Sequence, residues 1–438
     1  MRRSRVGPTL RASHANASTP RMTRVDERPA DALTDEARKF VLELGRALHA
    51  LGSPSYRVED AMIASARALG LQGSFFATPT AIFAQLVQPG GEPAITLLRV
   101  RPGDQDLGKL AQLYAERDDV VQGRRGAREG SERIRAVMSS PPTQGPWAEL
   151  PAHVLSSVGA AVFLGGATSE VAVASLCGLV VGLLGLLAVR ARRFARVFEP
   201  TAAAATAMLA QLFAAIAHAD PGIVTVAGIV PLLPGLTITT ALAELAVRHL
   251  ASGSARLLGA LATMLTMAVG VGLGARVGTM LVDVPILPLP QPASLWVQVP
   301  IAFVCATAFA ILLRARWSQL PPVLTAVGIA FAGVQLGGLV FDRELAAFVG
   351  AFAVAAAGNL YARLRRRPAA VLRTPGLLLL VPGSIGFRGL TTALQQDFSA
   401  GSQFAFRMLL VGGALVAGIL VANVLVPPPL DVEPDSED

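Results

Sequence analysis

The sequence is poor in charged residues, in cysteine and in lysine, and each shortage excludes a class of protein. Only 16% of the 438 residues are charged, against about 25% in a soluble globular protein. The two cysteines, Cys177 and Cys305, lie in apolar runs and form neither a disulfide framework nor a metal-binding spacing. No phosphate-binding loop is present either. A wholly soluble protein and a disulfide-stapled protein are therefore excluded, and no metal, cofactor or catalytic residue is expected.

The net charge of +8 comes almost wholly from arginine, because Lys39 and Lys109 are the only lysines. In a soluble protein this excess would suggest a nucleic-acid partner. Here the arginines lie mostly in short loops between apolar runs, which membrane topology explains better. We therefore expect a lipid bilayer as the partner, and no nucleic acid.

Long apolar runs fill the chain from about Ala152 onward, and each is close to the roughly 20 residues that cross a bilayer. They predict a mostly α, polytopic membrane protein with ten transmembrane helices, preceded by a small α+β soluble domain. The ten spans are placed near 152–168, 171–189, 200–218, 222–247, 257–281, 297–313, 322–341, 344–361, 371–396 and 404–426.

The N-terminal third has a different composition. Residues 1–33 form a basic tail that is expected to be disordered, residues 34–140 a soluble α+β domain, and residues 141–151 a linker. The apolar periodicity predicts four helices in the domain, near 34–52, 55–69, 107–117 and 128–138. Two strands are expected in "SFFATPTAIFAQLVQ" and "PAITLLRVR", joined by a hairpin at "QPGGEP".

Basic residues set the predicted orientation. With the soluble domain in the cytoplasm, the cytoplasmic loops receive nearly all loop arginines, whereas the outer loops hold only Arg343. The outer loop at 284–296 has no basic residue. An even number of spans returns the acidic tail, 427–438, to the same side. Both termini are therefore expected to be cytoplasmic.

An internal repeat relates the two halves of the membrane region. A shift of 148 residues superposes Pro234 on Pro382 and Gly235 on Gly383. The spans therefore form a first five-helix repeat, 152–283, and a second, 297–426. Because five is odd, the second repeat is inverted relative to the first. Inverted repeats with matched Pro/Gly interruptions are typical of transporters.

The two interruptions predict the substrate site. Proline breaks a helix, and the freed backbone has to be satisfied by protein, water or substrate. Each half-helix after a break begins with free N–H groups and a positive dipole end, which suits a carboxylate. The candidate substrate-binding residues are Pro234, Gly235, Thr237, Thr239, Thr240, Pro382, Gly383, Ser384 and Arg388. There is an alternative for each kind of residue. The Pro-Gly breaks would be simple packing kinks, the hydroxyls would bond to carbonyls of their own helix, and Arg388 would extend to the membrane interface.

Two further sites are considered. Glu244 is an acid well inside a span and is a candidate for proton coupling; the alternative is an ion pair with Arg248 one turn later. In the soluble domain, His49, Ser53 and nearby acids suggest a membrane-anchored hydrolase, although there is no nucleophile-elbow motif and capping or surface roles explain them better.

Two motifs carry a family resemblance. The segment "LGSPSYRVEDAMIASARALGL", followed by "ATPTAIFAQL", resembles the N-terminal domain of the bacterial threonine/serine exporters. The segment "LLPGLTITTALAELAVRHLASGSARLLGA" resembles the broken-helix signature of that family, which commonly has Asp where Glu244 stands. The resemblance covers about residues 35–426. The positions that match are Gly52, Arg57, Glu59, Pro79, Thr80, Pro234, Gly235, Thr239 and Glu244.

The resemblance implies a secondary transporter of the bacterial inner membrane. It would export L-threonine and L-serine as a proton-coupled antiporter, with its site at the fourth and ninth helices. Relatives of similar architecture export other small carboxylates, such as dicarboxylates, which stays open as an alternative. A homo-oligomer also remains open.

Overall fold

A computed structural model describes residues 30–87, 94–101, 103, 105–282, 291, 293–381, 383–394 and 398–429. The hairpin predicted at 88–93, nearly all of the tail predicted at 1–33 and most of the outer loop at 284–296 lie outside the described residues. So do the last nine residues, which carry the acids of the predicted tail.

The N-terminal domain is α+β, as predicted. Its elements are α1 (Ala30–Ala50), α2 (Ser55–Ala68), β1 (Gln72–Thr78), β2 (Ala81–Val87), β3 (Ala94–Arg99), α3 (Leu107–Val121) and α4 (Ala127–Ser139). The sheet is antiparallel in the order β1-β2-β3. Alternate strand residues such as Ile82 and Ala84 are buried in the same apolar core as Phe40, Leu44 and Leu48 of α1. The four predicted helices are confirmed.

The predicted number of strands is wrong. The segment "SFFATPTAIFAQLVQ" forms two strands, because the chain turns at Pro79 and Thr80 and pairs Thr78 with Ala81. Proline has no N–H to donate to a ladder and favours turn positions. The Thr78 hydroxyl donates to the carbonyl of Ala81 at 3.1 Å, which closes the turn. The turn was not predicted because the segments before and after Pro79 are both apolar.

The helical region follows without further strands in its described residues. Its helices are α5 (Glu149–Phe163), α6 (Thr168–Arg190), α7 (Phe198–Ala217), α8 (Pro221–Ile229), α9 (Gly235–Ala246), α10 (Leu250–Leu281), α11 (Leu295–Leu312), α12 (Leu320–Gly337), α13 (Arg343–Arg365), α14 (Ala370–Leu380), α15 (Gly383–Leu394) and α16 (Phe398–Leu425).

Within the described residues, eight helices are long and apolar enough to cross a membrane, or nine if the bent pair α8–α9 is one span. Helix α5 has only 15 residues, about 22 Å of helix against a hydrocarbon core of about 30 Å. A mostly helical, polytopic membrane protein is therefore confirmed. The count of ten spans and their arrangement as an inverted repeat stay predictions.

The N-terminal domain packs directly on the helical region. The N–H of Leu107 donates to the carbonyl of Leu313 at 2.9 Å, and the Gln319 amide donates to the carbonyl of Leu107 at 3.2 Å. Within the helical region, Arg314 pairs with Glu149 at the start of α5 at 3.3 Å. We call the face of the helical region that carries these contacts the N-domain side.

Two arginines of the helical region, Arg190 and Arg256, lie on the N-domain side. The guanidinium of Arg190, the last residue of α6, lies 5.4 Å from the ring centre of Trp147 in the linker. Arg256, near the start of α10, donates to the carbonyl of Ser53 in the N-terminal domain at 3.2 Å. Both arginines therefore lie beside the N-terminal domain or the linker, and the orientation in the membrane stays a prediction.

Candidate functional site

The first predicted break interrupts the helix formed by α8 and α9. A short helical turn, Val230–Leu232, ends the first segment, and α9 begins at Gly235 with its axis bent by 61°. Pro231 and Pro234 have no N–H to donate, and their rings clash with the preceding turn, so a continuous helix is disfavoured there. The second break separates α14, which ends at Leu380, from α15, which begins at Gly383. Pro382 lies outside the described residues.

The two breaks meet. A Cβ atom built on Gly235 would lie 1.9 Å from Val381 Cγ1 and 3.3 Å from the Cα of Gly383. A Cβ built on Gly383 would lie 3.1 Å from the Cα of Gly235. We call the point where Gly235 meets Gly383 the crossing. Glycine is needed there because the two backbones approach closely. The sequence paired these two positions by repeat, and the structure brings them into contact.

The half-helices that start at the crossing lead to different parts of the helical region. Leu236 and Ala243 of α9 line a cavity against the N-terminal domain. Arg388 of α15 lies within electrostatic range of Asp220, which caps the start of α8. The N-termini of α9 and α15 therefore place two positive dipole ends close to each other.

The cavity on the N-domain side has a volume of about 550 Å³, within the range of small-molecule sites. The N-terminal domain contributes the α1–α2 loop, α2 and α3. The helical region contributes α9, the end of α13, the α13–α14 loop, α14, one residue of α16 and the segment after α16. Its polar lining includes Ser53, Tyr56, Arg57, Gln105, Tyr114, Arg117, Asp118, Gln122, Thr239, Thr240, Arg363, Arg366, Arg367, Arg373 and Thr374.

Two of the three threonines predicted at the first break line the cavity. Thr239 and Thr240 line the cavity, whereas Thr237 is exposed and does not. Thr239 is buried and donates to the carbonyl of Gly235 at 3.2 Å, which is the back-bonding alternative. Thr240 has no hydrogen-bond partner among the described residues. Its hydroxyl is therefore the one of the three best placed to meet a ligand.

The predicted residues of the second break do not line this cavity. Ser384 and Arg388 are half-buried beyond the crossing. Pro234, Gly235 and Gly383 form the crossing and not the cavity wall. Substrate binding by these five residues stays a prediction, and for Ser384 and Arg388 it would require a conformation other than this one.

Glu244 is fully buried where α9, α10 and α2 meet. Its carboxylate accepts from the backbone N–H of Ser55 at 2.8 Å, from the Ser252 hydroxyl at 2.9 Å and from Arg256 Nε at 3.1 Å. The Ser55 and Ser252 hydroxyls are also hydrogen-bonded to each other. The carboxylate therefore caps the first turn of α2, whose own N-cap, Pro54, provides no side-chain acceptor.

The partner of Glu244 is not Arg248, the residue that helical spacing suggested. Arg248 lies at the end of α9 with a left-handed backbone (φ 65°) and is exposed. Arg256 replaces it because α10 folds back beside α9 and returns its second turn to the carboxylate. Sequence spacing within one helix could not identify this pair, since it crosses a helix–helix junction. The role of Glu244 in proton coupling stays a prediction.

His49 and Ser53 are both buried in the α1–α2 region and serve the fold. The Nε2 atom of His49 is hydrogen-bonded to the carbonyl of Thr78 at 2.7 Å, and the carbonyl of Ser53 accepts from Arg256. His49 is only 1% exposed, so its ring is closed to a substrate in this conformation. The arrangement does not favour the hydrolase alternative.

The pKa of His49 gives a pH prediction. Burial lowers this pKa below its ordinary value of 6.5, so the unfolded chain binds a proton at a higher pH than the folded one. Stability should therefore fall as the pH drops below 6.5, towards the lowered pKa. We expect His49→Gln, which keeps an N–H donor for Thr78, to show a smaller loss of melting temperature between pH 7.5 and 5.5. Thermal unfolding of the purified protein measures this difference.

The wild type has to be compared with His49→Gln because Glu59 changes the stability with pH in the direction opposite to His49. Burial raises the pKa of Glu59 above 4.5, so its contribution to stability falls as the pH rises from 4.5 through the raised pKa. Glu59 is present in both proteins and cancels in the difference. The exposed His218 provides the control, His218→Gln, which should keep the wild-type pH dependence. Equal loss in wild type and His49→Gln would contradict the assignment.

The crossing, the cavity and the apolar helices define a class of protein: a multi-pass membrane protein with a broken-helix site, an arrangement typical of transporters. Residues 39–278 match the family ThrE, described as "Putative threonine/serine exporter". Residues 298–425 match ThrE_2, described as "Threonine/Serine exporter, ThrE". The chain belongs to the threonine/serine exporter family, which confirms the resemblance drawn from its motifs.

Fungal membrane proteins are among the curated relatives that match. The "Pheromone-regulated membrane protein 10" of Saccharomyces cerevisiae (strain YJM789) is 26% identical over 359 residues, covering 80% of this chain and 46% of that protein. The protein of the same name from Candida albicans (strain WO-1) is 26% identical over 381 residues, covering 82% of this chain and 34% of the relative. The chain thus spans less than half the length of these relatives. No solved structure shows significant similarity to it.

Proposed function

We propose that the protein exports L-threonine and L-serine by alternating access, driven by the proton gradient. Membership of the exporter family supports a transporter. The observation that carries the proposal is the contact of Gly235 with Gly383 beside a cavity that reaches Thr239 and Thr240. Two helix N-termini at one crossing suit the carboxylate of an amino acid, and a hydroxyl suits its polar groups.

In this proposal the present conformation is the one loaded from the N-domain side. Substrate enters the cavity, meets Thr240 and reaches the crossing. Rocking of the helices around Gly235 and Gly383 then opens the path towards Ser384 and Arg388, which lie beyond the crossing. Both termini are cytoplasmic in a bacterial inner membrane, a placement supported by the arginine-rich loops on the N-domain side. Glu244 is the residue proposed for proton coupling.

Counterflow of labelled L-threonine in proteoliposomes tests the proposal. We expect saturable exchange that unlabelled serine blocks and that an imposed pH gradient accelerates. Thr240→Val removes the hydroxyl without changing the volume and should raise the KM for threonine about tenfold, the loss expected for one buried hydrogen bond of about 1.4 kcal/mol.

The matched control is Thr266→Val in α10, where the threonine is exposed and does not line the cavity. This variant should transport like the wild type. Competition by alanine and succinate separates amino-acid export from export of other small carboxylates. Absence of threonine flux, with exchange of another carboxylate instead, would remove the proposed substrate and leave the transporter class.

A further inference from the structure

The cavity on the N-domain side contains an excess of arginine that a zwitterionic amino acid does not require. Its arginines are Arg57 and Arg117 from the N-terminal domain and Arg363, Arg366, Arg367 and Arg373 from the helical region. Asp118 is the single acid among its lining residues, and it pairs with Arg117 at 2.7 Å. The lining is therefore strongly cationic.

The four arginines from the helical region are not neutralised by the described part of the chain. None of them forms an ion pair with a described carboxylate. In addition, Nη1 of Arg373 is buried and has no hydrogen-bond partner there. A buried N–H without a partner is uncommon in a folded protein and points to a missing acceptor. An anion in the cavity would supply that acceptor.

Several cavity groups are already held in place. The guanidinium of Arg57 lies 5.6 Å from the ring centre of Tyr56, and that of Arg117 lies 4.9 Å from the ring centre of Tyr114. Such cation–π contacts orient a guanidinium. Arg366 has a left-handed backbone (φ 51°) that ends α13 and turns the chain into the α13–α14 loop. A left-handed residue is a common end to a helix.

We propose that this cavity binds a compact anion with two or more negative charges, carried by phosphate or carboxylate groups, which bridges the N-terminal domain and the helical region. Guanidinium groups bind both kinds of group through paired, charge-assisted hydrogen bonds. The volume of about 550 Å³ accommodates such a molecule. The proposal concerns binding and does not depend on threonine export.

Calorimetric titration of the purified full-length protein, with inorganic pyrophosphate as the probe, tests the site. We expect saturable binding that weakens as salt is raised, because exposed arginines such as Arg363 and Arg367 are screened. Citrate should compete, whereas acetate and threonine should bind at least about tenfold more weakly. The double variant Arg363→Gln/Arg367→Gln should lower the affinity for pyrophosphate about tenfold or more.

The control variant is Arg192→Gln/Arg193→Gln, which removes two exposed arginines of the α6–α7 loop that do not line the cavity. Its affinity should stay within about twofold of the wild type, a small change on the free-energy scale. Equal weakening in both double variants would overturn the proposal, because it would reduce the site to general surface charge. The proposal would also be overturned if neither the full-length protein nor a chain ending at Pro429 bound pyrophosphate. That second chain is needed because Pro428 and Pro429 line the cavity, and the sequence after them carries five acids.

A free anion and a lipid head group share this chemistry. Titration in nanodiscs of neutral lipid, and in nanodiscs containing phosphatidylglycerol, separates the two sources. Pyrophosphate binding that is unchanged by phosphatidylglycerol supports a free anion. Binding that phosphatidylglycerol competes away supports a head group in the same arginine-lined site. Threonine counterflow is a separate measurement. Its absence would contradict the proposed export of threonine but would not change the conclusion drawn from pyrophosphate binding.

Discussion

Replacing Glu244 with alanine is expected to release the N-terminal domain from the helical region and to destabilise the protein by about 3–5 kcal/mol, the usual cost of removing one partner of a buried ion pair. The variant leaves Arg256 without its carboxylate and the N–H of Ser55 without an acceptor. A lower melting temperature and faster proteolysis of the segment 140–146, which joins the N-terminal domain to the helical region, would show the release.

Glu132→Ala provides the matched control. Glu132 pairs with Arg128 on the surface of the same domain, where the two side chains are 56% and 66% exposed. Exposed pairs contribute little, so this variant should change stability by less than about 0.5 kcal/mol. If Glu244→Ala melted and resisted proteolysis like Glu132→Ala, the buried carboxylate would not hold the two parts together.

Glu244→Gln separates docking from proton coupling. The amide oxygen of glutamine can still accept from Ser55, but the charge that pairs with Arg256 is lost. If the N-terminal domain of Glu244→Gln stays packed on the helical region and the variant exchanges threonine without a response to the pH gradient, the coupling role is supported. A docked protein with normal coupling would assign Glu244 to docking alone.

The sequence predicts some parts of this protein well because their signals are local. Apolar periodicity found the helices of the N-terminal domain and the polytopic membrane region, and two Pro-Gly pairs marked the positions that meet at the crossing. Side-chain partners that arise where separate helices meet have no local signal. Ser55 and Arg256 lie 189 and 12 residues from Glu244, so neither helical spacing nor composition could select them.

The cavity illustrates the same limit. In the sequence, Arg363 and Arg367 belong to an arginine-rich stretch between two apolar runs, a pattern that indicates membrane orientation only. In the structure, Tyr56 and Arg57 of the N-terminal domain line the same cavity as these two arginines. These arginines therefore become part of a cationic cavity lining only when the N-terminal domain packs on the helical region.

Replacing Gly235 with alanine is expected to separate the two broken helices and to lower threonine counterflow at least about tenfold. The new Cβ would lie 1.9 Å from Val381 Cγ1, a distance that no stable structure allows, and 3.3 Å from the Cα of Gly383. Overpacking of this kind costs about 1–3 kcal/mol, so the half-helices should shift apart while the protein still folds. Counterflow and thermal unfolding, measured on the same preparation, test both effects.

A second substitution and a control make the result specific to the crossing. Val381→Ala in the Gly235→Ala background removes the clashing methyl group, so stability and a large part of the counterflow should return. Gly272→Ala adds a methyl group to α10 where no atom lies within 4 Å, and it should transport normally with a stability unchanged or raised by up to about 1 kcal/mol. Normal counterflow in Gly235→Ala would mean that close contact of the two breaks is not required for transport. Loss of counterflow that Val381→Ala restores would instead tie the transport path to the point where the two breaks touch.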